Sequence, residues 1–225
     1  MTAMAAPAIA SPPMPWPRPR GLLLDAMGTL IGLRQSVGST YAERAAAHGL
    51  SVDAAAIDRV FGPIYRQAPP LAWPHLEGQA LHQAERDWWA DRIDAALVAA
   101  GASAGGSALH QDLFDRFADP DLWFVYDDVP DHLQRWHRQG LALAVVSNFD
   151  QRLEGLLEGL GLAPWIDHVV VSSRAGAAKP SPEPFRQALE AIGLEADQVW
   201  HIGDSPEDEQ GARAAGLRCL LVKRP

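Results

Sequence analysis

The chain has 225 residues, a formal net charge of −9 and an apolar fraction of 48%. That length accommodates one domain with a large insertion or two small domains. The acidic balance gives no support for nucleic-acid or membrane-surface binding, and no uninterrupted apolar run is long enough to span a bilayer.

In chain order, residues 1–19 carry Pro7, Pro12, Pro13, Pro15, Pro17 and Pro19 and no basic residue before Arg18. This reads as a disordered or extended arm, because prolines interrupt the apolar core that a secretory signal needs. Leu22–Leu24 is then a continuous apolar run, the mark of a strand buried on both faces, and it ends abruptly at Asp25. From about Arg34 to Asp127 the periodicity is helical, with no convincing strand. Ser36–Leu50 is a first helix. Asp53 is an N-cap for a second, which runs to about Gln67 with Ile57, Val60, Phe61 and Ile64 on one face and a kink expected at Gly62-Pro63. Ala80–Ala100 follows, with Trp88, Trp89, Ile93 and Leu97 in its apolar stripe, and then Leu109–Ala118.

Beyond residue 128 helices and strands alternate. The helices are Asp131–Gln139, Arg152–Leu160, Pro182–Ile192 and Glu207–Ala215; the strands are Leu141–Val146, Val169–Val171, Val199–Ile202 and Leu217–Val222. Repeated β-α units imply a mostly parallel sheet covered by helices on both faces. The strand at Leu22–Asp25 must join it from across the helical insert. The expected organisation is therefore an α/β core of residues 20–33 and 128–225, with residues 34–127 as an all-helical insertion. The single cysteine, Cys219, lies in an apolar run and has no partner for an internal disulfide, which fits a reducing cytoplasm.

Four strand or loop ends carry the residue types that one reaction needs. Asp25 follows the first strand, and Ser147-Asn148 follows Leu141–Val146. Lys179 precedes the helix at Pro182, and Asp204 and Asp208 follow Val199–Gly203. In a parallel sheet such ends meet along one edge. Each residue alone has an ordinary explanation: a loop aspartate, a helix-capping serine, a solvated lysine, carboxylates favouring a helix N-terminus. Lysine, however, is scarce, since Lys179 and Lys223 are the only two among 19 basic residues. Four coincidences in this order favour a shared site. The chemistry that fits is phosphoryl transfer. A carboxylate attacks phosphorus, a hydroxyl and an ammonium take up charge on the phosphoryl oxygens, and paired carboxylates hold a hard cation.

Asp25-Ala26-Met27-Gly28-Thr29-Leu30, Val145-Val146-Ser147-Asn148, Lys179-Pro180 and Gly203-Asp204-Ser205 through Asp208 resemble, in order, the four motifs of the haloacid dehalogenase superfamily. Leu33–Tyr41, Trp88-Trp89 and Trp123–Asp127 resemble its branch of haloacid dehalogenase-like hydrolase domain-containing protein 3. The resemblance implies a Rossmann-like parallel sheet of order 5-4-1-2-3 under a helical cap. It implies Asp25 as catalytic nucleophile and magnesium ligand, with Ser147, Asn148 and Lys179 as phosphate binders. It further implies a metal-side pair of Asp204 and, as an outer partner, Asp208, with the Met27 backbone carbonyl also on the Mg2+. The expected function is a cytoplasmic, magnesium-dependent phosphatase that acts on a small phosphorylated metabolite through an aspartyl-phosphate, as a monomer or homodimer without nucleic-acid or membrane partners.

Met27 departs from the pattern. Phosphatases of the superfamily carry an aspartate there, which protonates the leaving group, and a thioether cannot do this. Such assistance is typically worth ~10²–10⁴-fold, so weak activity, or activity confined to good leaving groups, is the expectation. The alternatives are a 2-haloacid dehalogenase-type hydrolase, which needs no leaving-group proton but dispenses with the acid at Asp204, and a non-catalytic binding protein of the same fold. Relatives that cleave phosphonates use a cap lysine, and Arg34–Asp127 contains none. Outside the motifs, Arg66 reads mainly as a solvated helix-end arginine, His201 as a residue packed in the sheet, and Trp73, Trp88, Trp89 and Trp123 as cap-core residues.

Overall fold

The computed structural model describes residues 18–224. Residues 1–17, which make up nearly all of the expected proline-rich arm, and residue 225 lie outside the described part.

Strand β1 (Gly21–Leu24) is followed by β2 (Ile31–Leu33) and by the helices α1 (Val37–Ala47), α2 (Ala54–Gln67), α3 (Gly78–Ala99) and α4 (Gly106–Arg116). The chain returns through β3 (Trp123–Val125) and α5 (Val129–Arg138). It then alternates through β4 (Ala142–Ser147), α6 (Arg152–Gly159), β5 (His168–Val171), the short α7 (Ser172–Ala175), α8 (Glu183–Ile192), β6 (Val199–Gly203), α9 (Pro206–Ala214) and β7 (Arg218–Leu221).

The main sheet is parallel, in the order β5-β4-β1-β6-β7. Numbered among themselves along the chain, its strands read 5-4-1-2-3 from the β7 edge. β1 is central, so both of its faces are covered. Leu22 and Leu24 pack on one face with Leu133 of α5 and Leu153 and Leu156 of α6. Leu23 packs on the other with Phe185 and Ala188 of α8 and Ala212 of α9. Alternate side chains thus enter two different apolar layers, which is why the strand is a continuous apolar run rather than an alternating one.

The helices α1–α4 form a layer with its own core. Tyr41 and Ala45 meet Ile57, Ile93, Leu97, Leu109 and Leu113 there. Asp53 caps α2, accepting a hydrogen bond from the Ala55 N–H at 3.1 Å. The helix continues through Pro63 to Gln67. One expectation is corrected: the segment 34–127 is not wholly helical. Its end, Trp123–Val125, pairs antiparallel with Ile31–Leu33. The aromatic, β-branched run Trp-Phe-Val suits a pleated surface, but at three residues it was too short to show a period. Trp123 also packs in the sheet cluster beside Leu22 and Leu24 rather than among α1–α4. No described helix is long and apolar enough to cross a membrane.

Candidate active site

Register fixes the site. Leu24 lies opposite both Val145 and Ile202, so Asp25, Ser147-Asn148 and Asp204 all emerge at the carboxyl edge of neighbouring strands. The Asp25 N–H donates to Ile202 O at 2.9 Å, which carries the sheet one residue further. The chain then turns sharply. The N–H groups of Thr29, Leu30 and Ile31 all converge on Ala26 O, at 3.2, 2.8 and 3.0 Å. This turn brings the Thr29 hydroxyl back to donate to Asp25 Oδ2 at 3.3 Å. It requires Gly28, whose φ is +82° and where a Cβ would fall 2.3 Å from Asp204 Oδ2.

Lys179 is buried and forms the hub. Its Nζ donates to Asp25 Oδ1 and Asp208 Oδ1, each at 2.6 Å, and to Val146 O at 3.1 Å. Burial alone would lower its pKa, but the two carboxylates outweigh burial and raise it, so the ammonium stays charged. The Ser147 hydroxyl donates to the same Asp25 Oδ1 at 3.2 Å. Asp208 opens α9 in a capping box: its Oδ2 accepts from the Ser205 N–H at 3.1 Å, and the Ser205 hydroxyl accepts from its N–H at 3.2 Å. Its Oδ1 also lies 2.9 Å from His201 Nε2. Burial pushes the Asp208 carboxyl up, but the His201 contact and the Lys179 charge more than offset it and hold it well below the usual carboxylate range. Asp204 is exposed at the mouth, and partial burial together with the charges of Asp25 and Asp208 raises its pKa.

One oxygen from each of Asp25, Asp204 and Asp208 lies within 4.8 Å of the others. This set of hard oxygen donors fits a hard divalent cation. Both oxygens of Asp208 accept two hydrogen bonds each, from Lys179, His201 and Ser205, whereas Asp25 Oδ2 takes only the 3.3 Å bond from Thr29, so Asp25 Oδ2 and Asp204 are the carboxylate oxygens best able to face a cation directly.

Asn148 sits differently from a simple ligand donor. Its side-chain amide grips the Lys179 backbone from both sides, with Nδ2 donating to Lys179 O at 3.0 Å and Oδ1 accepting from the Lys179 N–H at 2.7 Å. Its side chain therefore fixes the lysine loop. Met27, at 46% exposure, lines the cleft.

A cleft of about 1210 Å³ opens above Asp25, between the sheet edge and the helical layer. The opposite wall is aromatic, with Phe61 and Tyr65 of α2, Trp88 and Trp89 of α3 and Phe114 of α4. A buried polar bridge ties this wall to the core. The Trp89 indole N–H donates to Asp150 Oδ2 at 2.7 Å. Arg152 clasps Asp150 with two nitrogens, at 2.8 and 2.6 Å, donates to Phe114 O and lies 3.9 Å over the Phe114 ring. Glu85 accepts from Gln151 through both backbone and side chain.

The structure thus brings Asp25, Ser147, Lys179, Asp204 and Asp208 together. Tyr65, Asp150, Arg152 and the His201–Asp208 contact had no signal in the sequence beyond residue type. Arg66 is exposed on the rim. His75, His82, His110, His132, His137 and His168 contribute nothing to the carboxylate cluster.

The haloacid dehalogenase-like hydrolase family matches residues 19–216. Haloacid dehalogenase-like hydrolase domain-containing protein 3 of Bos taurus is 38% identical over 212 residues, covering 92% of this chain and 82% of that protein. Phosphoserine phosphatase of Thermus thermophilus is 32% identical over 181 residues, covering 72% and 71%. The crystal structure of the putative HAD-hydrolase YfnB from Bacillus subtilis bound to magnesium superposes with a TM-score of 0.69 at 22% identity, over 92% of this chain and 87% of that one, a likeness of fold.

Proposed function

The chain belongs to the haloacid dehalogenase-like hydrolase family, and from that premise we propose that it is a magnesium-dependent phosphatase acting on a small phosphorylated molecule through an aspartyl-phosphate. The observation that carries this reading is the charge balance at the sheet edge. Three carboxylates share the site with one buried ammonium, so two negative charges stand in excess, the deficit that one divalent cation makes good. Magnesium bound by Asp25, Asp204 and the Met27 carbonyl, with Asp208 behind them, would neutralise charge on the phosphoryl oxygens. Residues 34–127 act as the cap that encloses the substrate.

In the proposed reaction the Asp25 carboxylate forms a bond to phosphorus. The ester P–O bond breaks, and its electron pair leaves on the alcohol oxygen. Lys179 neutralises the phosphoryl group and keeps Asp25 oriented through Oδ1. The Ser147 hydroxyl and the Asn148 backbone N–H donate to a phosphoryl oxygen, while the Asn148 side chain holds Lys179 in register. Water then cleaves the aspartyl-phosphate, releasing phosphate and restoring the carboxylate. The acid at Asp204 supports this chemistry over halide displacement, which has no use for it.

The test is phosphate release from p-nitrophenyl phosphate. The expected result is turnover that requires magnesium and is abolished in Asp25→Asn. Turnover unaffected by chelation, or an active Asp25→Asn protein, overturns the reading. Chloride release from 2-chloropropionate without metal would favour the dehalogenase alternative.

A further inference from the structure

We propose that the substrate is the phosphate monoester of a phenol, an aryl phosphate, rather than the phosphate of a sugar or an amino-acid alcohol. This rests on the reading of the sheet edge as a phosphate site, and two independent features of the cleft carry it.

The first is the wall opposite Asp25. Tyr65 lies nearly parallel to Phe61, at 6.2 Å and 24°, and to Trp89, at 6.2 Å and 27°, while Trp88 stands edge-on to Trp89 at 4.9 Å. The result is a continuous aromatic surface, and its donor hydrogens are already engaged inside the protein. The Trp88 N–H donates to Pro69 O at 3.0 Å and the Trp89 N–H to Asp150 at 2.7 Å. The Tyr65 hydroxyl donates to Asn148 O at 3.4 Å, and Arg152 is spent on Asp150 and Phe114 O. The hydroxyls of a sugar, or the ammonium of an amino acid, pressed against this wall would lose water and find there only the acceptor oxygen of Tyr65 in exchange. A flat ring loses nothing polar and gains stacking on the aromatic face.

The second feature is the side chain beside the nucleophile. Met27 is exposed to the cleft and has no proton to give. When the P–O bond breaks, its electron pair goes to the ester oxygen. An alkoxide is a strong base and needs a proton as it departs. A phenolate, whose acid has a pKa of about 10, leaves as the anion and is protonated later by water. The wall selects the ring, and Met27 restricts turnover to the leaving group that the ring supplies.

The experiment is calorimetric titration of the wild-type protein, in magnesium, with four non-hydrolysable phosphonates. Benzylphosphonate replaces the ester oxygen of phenyl phosphate by CH₂, and methyl-, butyl- and 2,3-dihydroxypropylphosphonate are the comparisons. We expect benzylphosphonate to bind at least about tenfold more tightly than the methyl and dihydroxypropyl compounds, and more tightly than butyl. Equal affinities, tighter dihydroxypropylphosphonate, butyl matching benzyl, or no binding of any of the four overturns the inference. Binding needs no turnover, so the two readings fail separately. Lost preference with magnesium-dependent phosphate release intact sinks only the aryl assignment. Preference intact without phosphate release supports the aryl pocket and counts against the phosphatase.

Discussion

The floor and the wall of the cleft hold their side chains by different forces. On the floor, Lys179 touches Asp25 and Asp208, Asp208 touches His201 and Ser205, and Asp25 takes hydrogen bonds from Ser147 and Thr29. Each group there is positioned by a charge or by a hydrogen bond to one. On the wall, Phe61, Tyr65, Trp88 and Trp89 are positioned by ring packing, and their few polar atoms are tied off against backbone or the Asp150–Arg152 pair. A floor built on charge should fail when one charge is removed. A wall built on area should tolerate loss of a hydrogen bond provided the ring remains.

The severest break of this contrast is Lys179→Met. It leaves two buried carboxylates facing each other without their cation. Phosphate release should fall by on the order of 10³-fold or more, and denaturant unfolding should show a loss of about 3–5 kcal/mol, the usual result of removing one partner of a buried ion pair. Met27→Asp should act in the opposite sense on activity. Supplying a proton donor should raise turnover of alkyl phosphates by roughly 10²-fold while leaving phenyl phosphate nearly unchanged, as parallel kcat measurements would reveal. No gain on alkyl esters would mean that the thioether is not what limits them. Asn148→Ala removes both hydrogen bonds that hold the Lys179 backbone. It should cost about 1–3 kcal/mol and lower kcat/KM about tenfold with kcat carrying most of the change. Trp89→Phe keeps a ring on the wall and removes only the N–H to Asp150; about 1 kcal/mol of stability is expected to go, with KM for an aryl phosphate almost unmoved. A large rise in KM would show that the wall depends on that bond after all.

The smallest effect belongs to an ion pair of the helical layer that does not line the cleft. The Arg44 hydrogen bond, reinforced by His48, holds the Asp112 carboxyl below the usual range. A depressed folded pKa stabilises the fold in full above the unfolded value, ~3.9, and that contribution is lost as pH falls through the folded value. Both side chains are partly exposed, so the contribution is less than about 1 kcal/mol. The melting temperatures of wild type and Asp112→Asn should therefore differ by a few degrees at most at pH 7 and converge below pH ~4.

The floor was legible in the sequence because its residues come in local motifs at strand ends, where an apolar run stopping at a carboxylate marks both the strand and the site. Asp25, Ser147, Asp204 and Asp208 converge for that reason, and Lys179 joins them from the loop before α8. What stayed hidden is made by contacts between distant segments. Asp150 and Trp89 are 61 residues apart, and neither carries a local pattern that announces the other. Asn148 looked like a donor to a ligand because it follows Ser147; only the fold brings the backbone of Lys179 against its amide. Tyr65 and Phe61 are four apart on α2, a spacing that equally describes a helix packed in a core and one facing a cleft. Trp123–Val125 failed to read as a strand because its partner lies some ninety residues upstream at Ile31–Leu33.

That last pairing has a mechanical consequence. The helical layer is joined to the sheet by the outgoing strand β2 and the returning strand β3, and the two are laced together by backbone hydrogen bonds. Two separate tethers would let the layer twist. A laced pair behaves as a single strap, stiff along its length and soft mainly to bending across the ribbon. Its near end is the Asp25 turn, where the Gly28 N–H donates to Ile31 O, and Arg224 fastens the same turn through Thr29 O and the side chain of Asp128. Alongside the Asp150–Arg152 bridge, this strap is a second path by which a load on the aromatic wall would reach the loop that carries Met27 and Gly28. A ring that fills the cleft and draws the wall down would at the same stroke tighten the turn beneath the carboxylate.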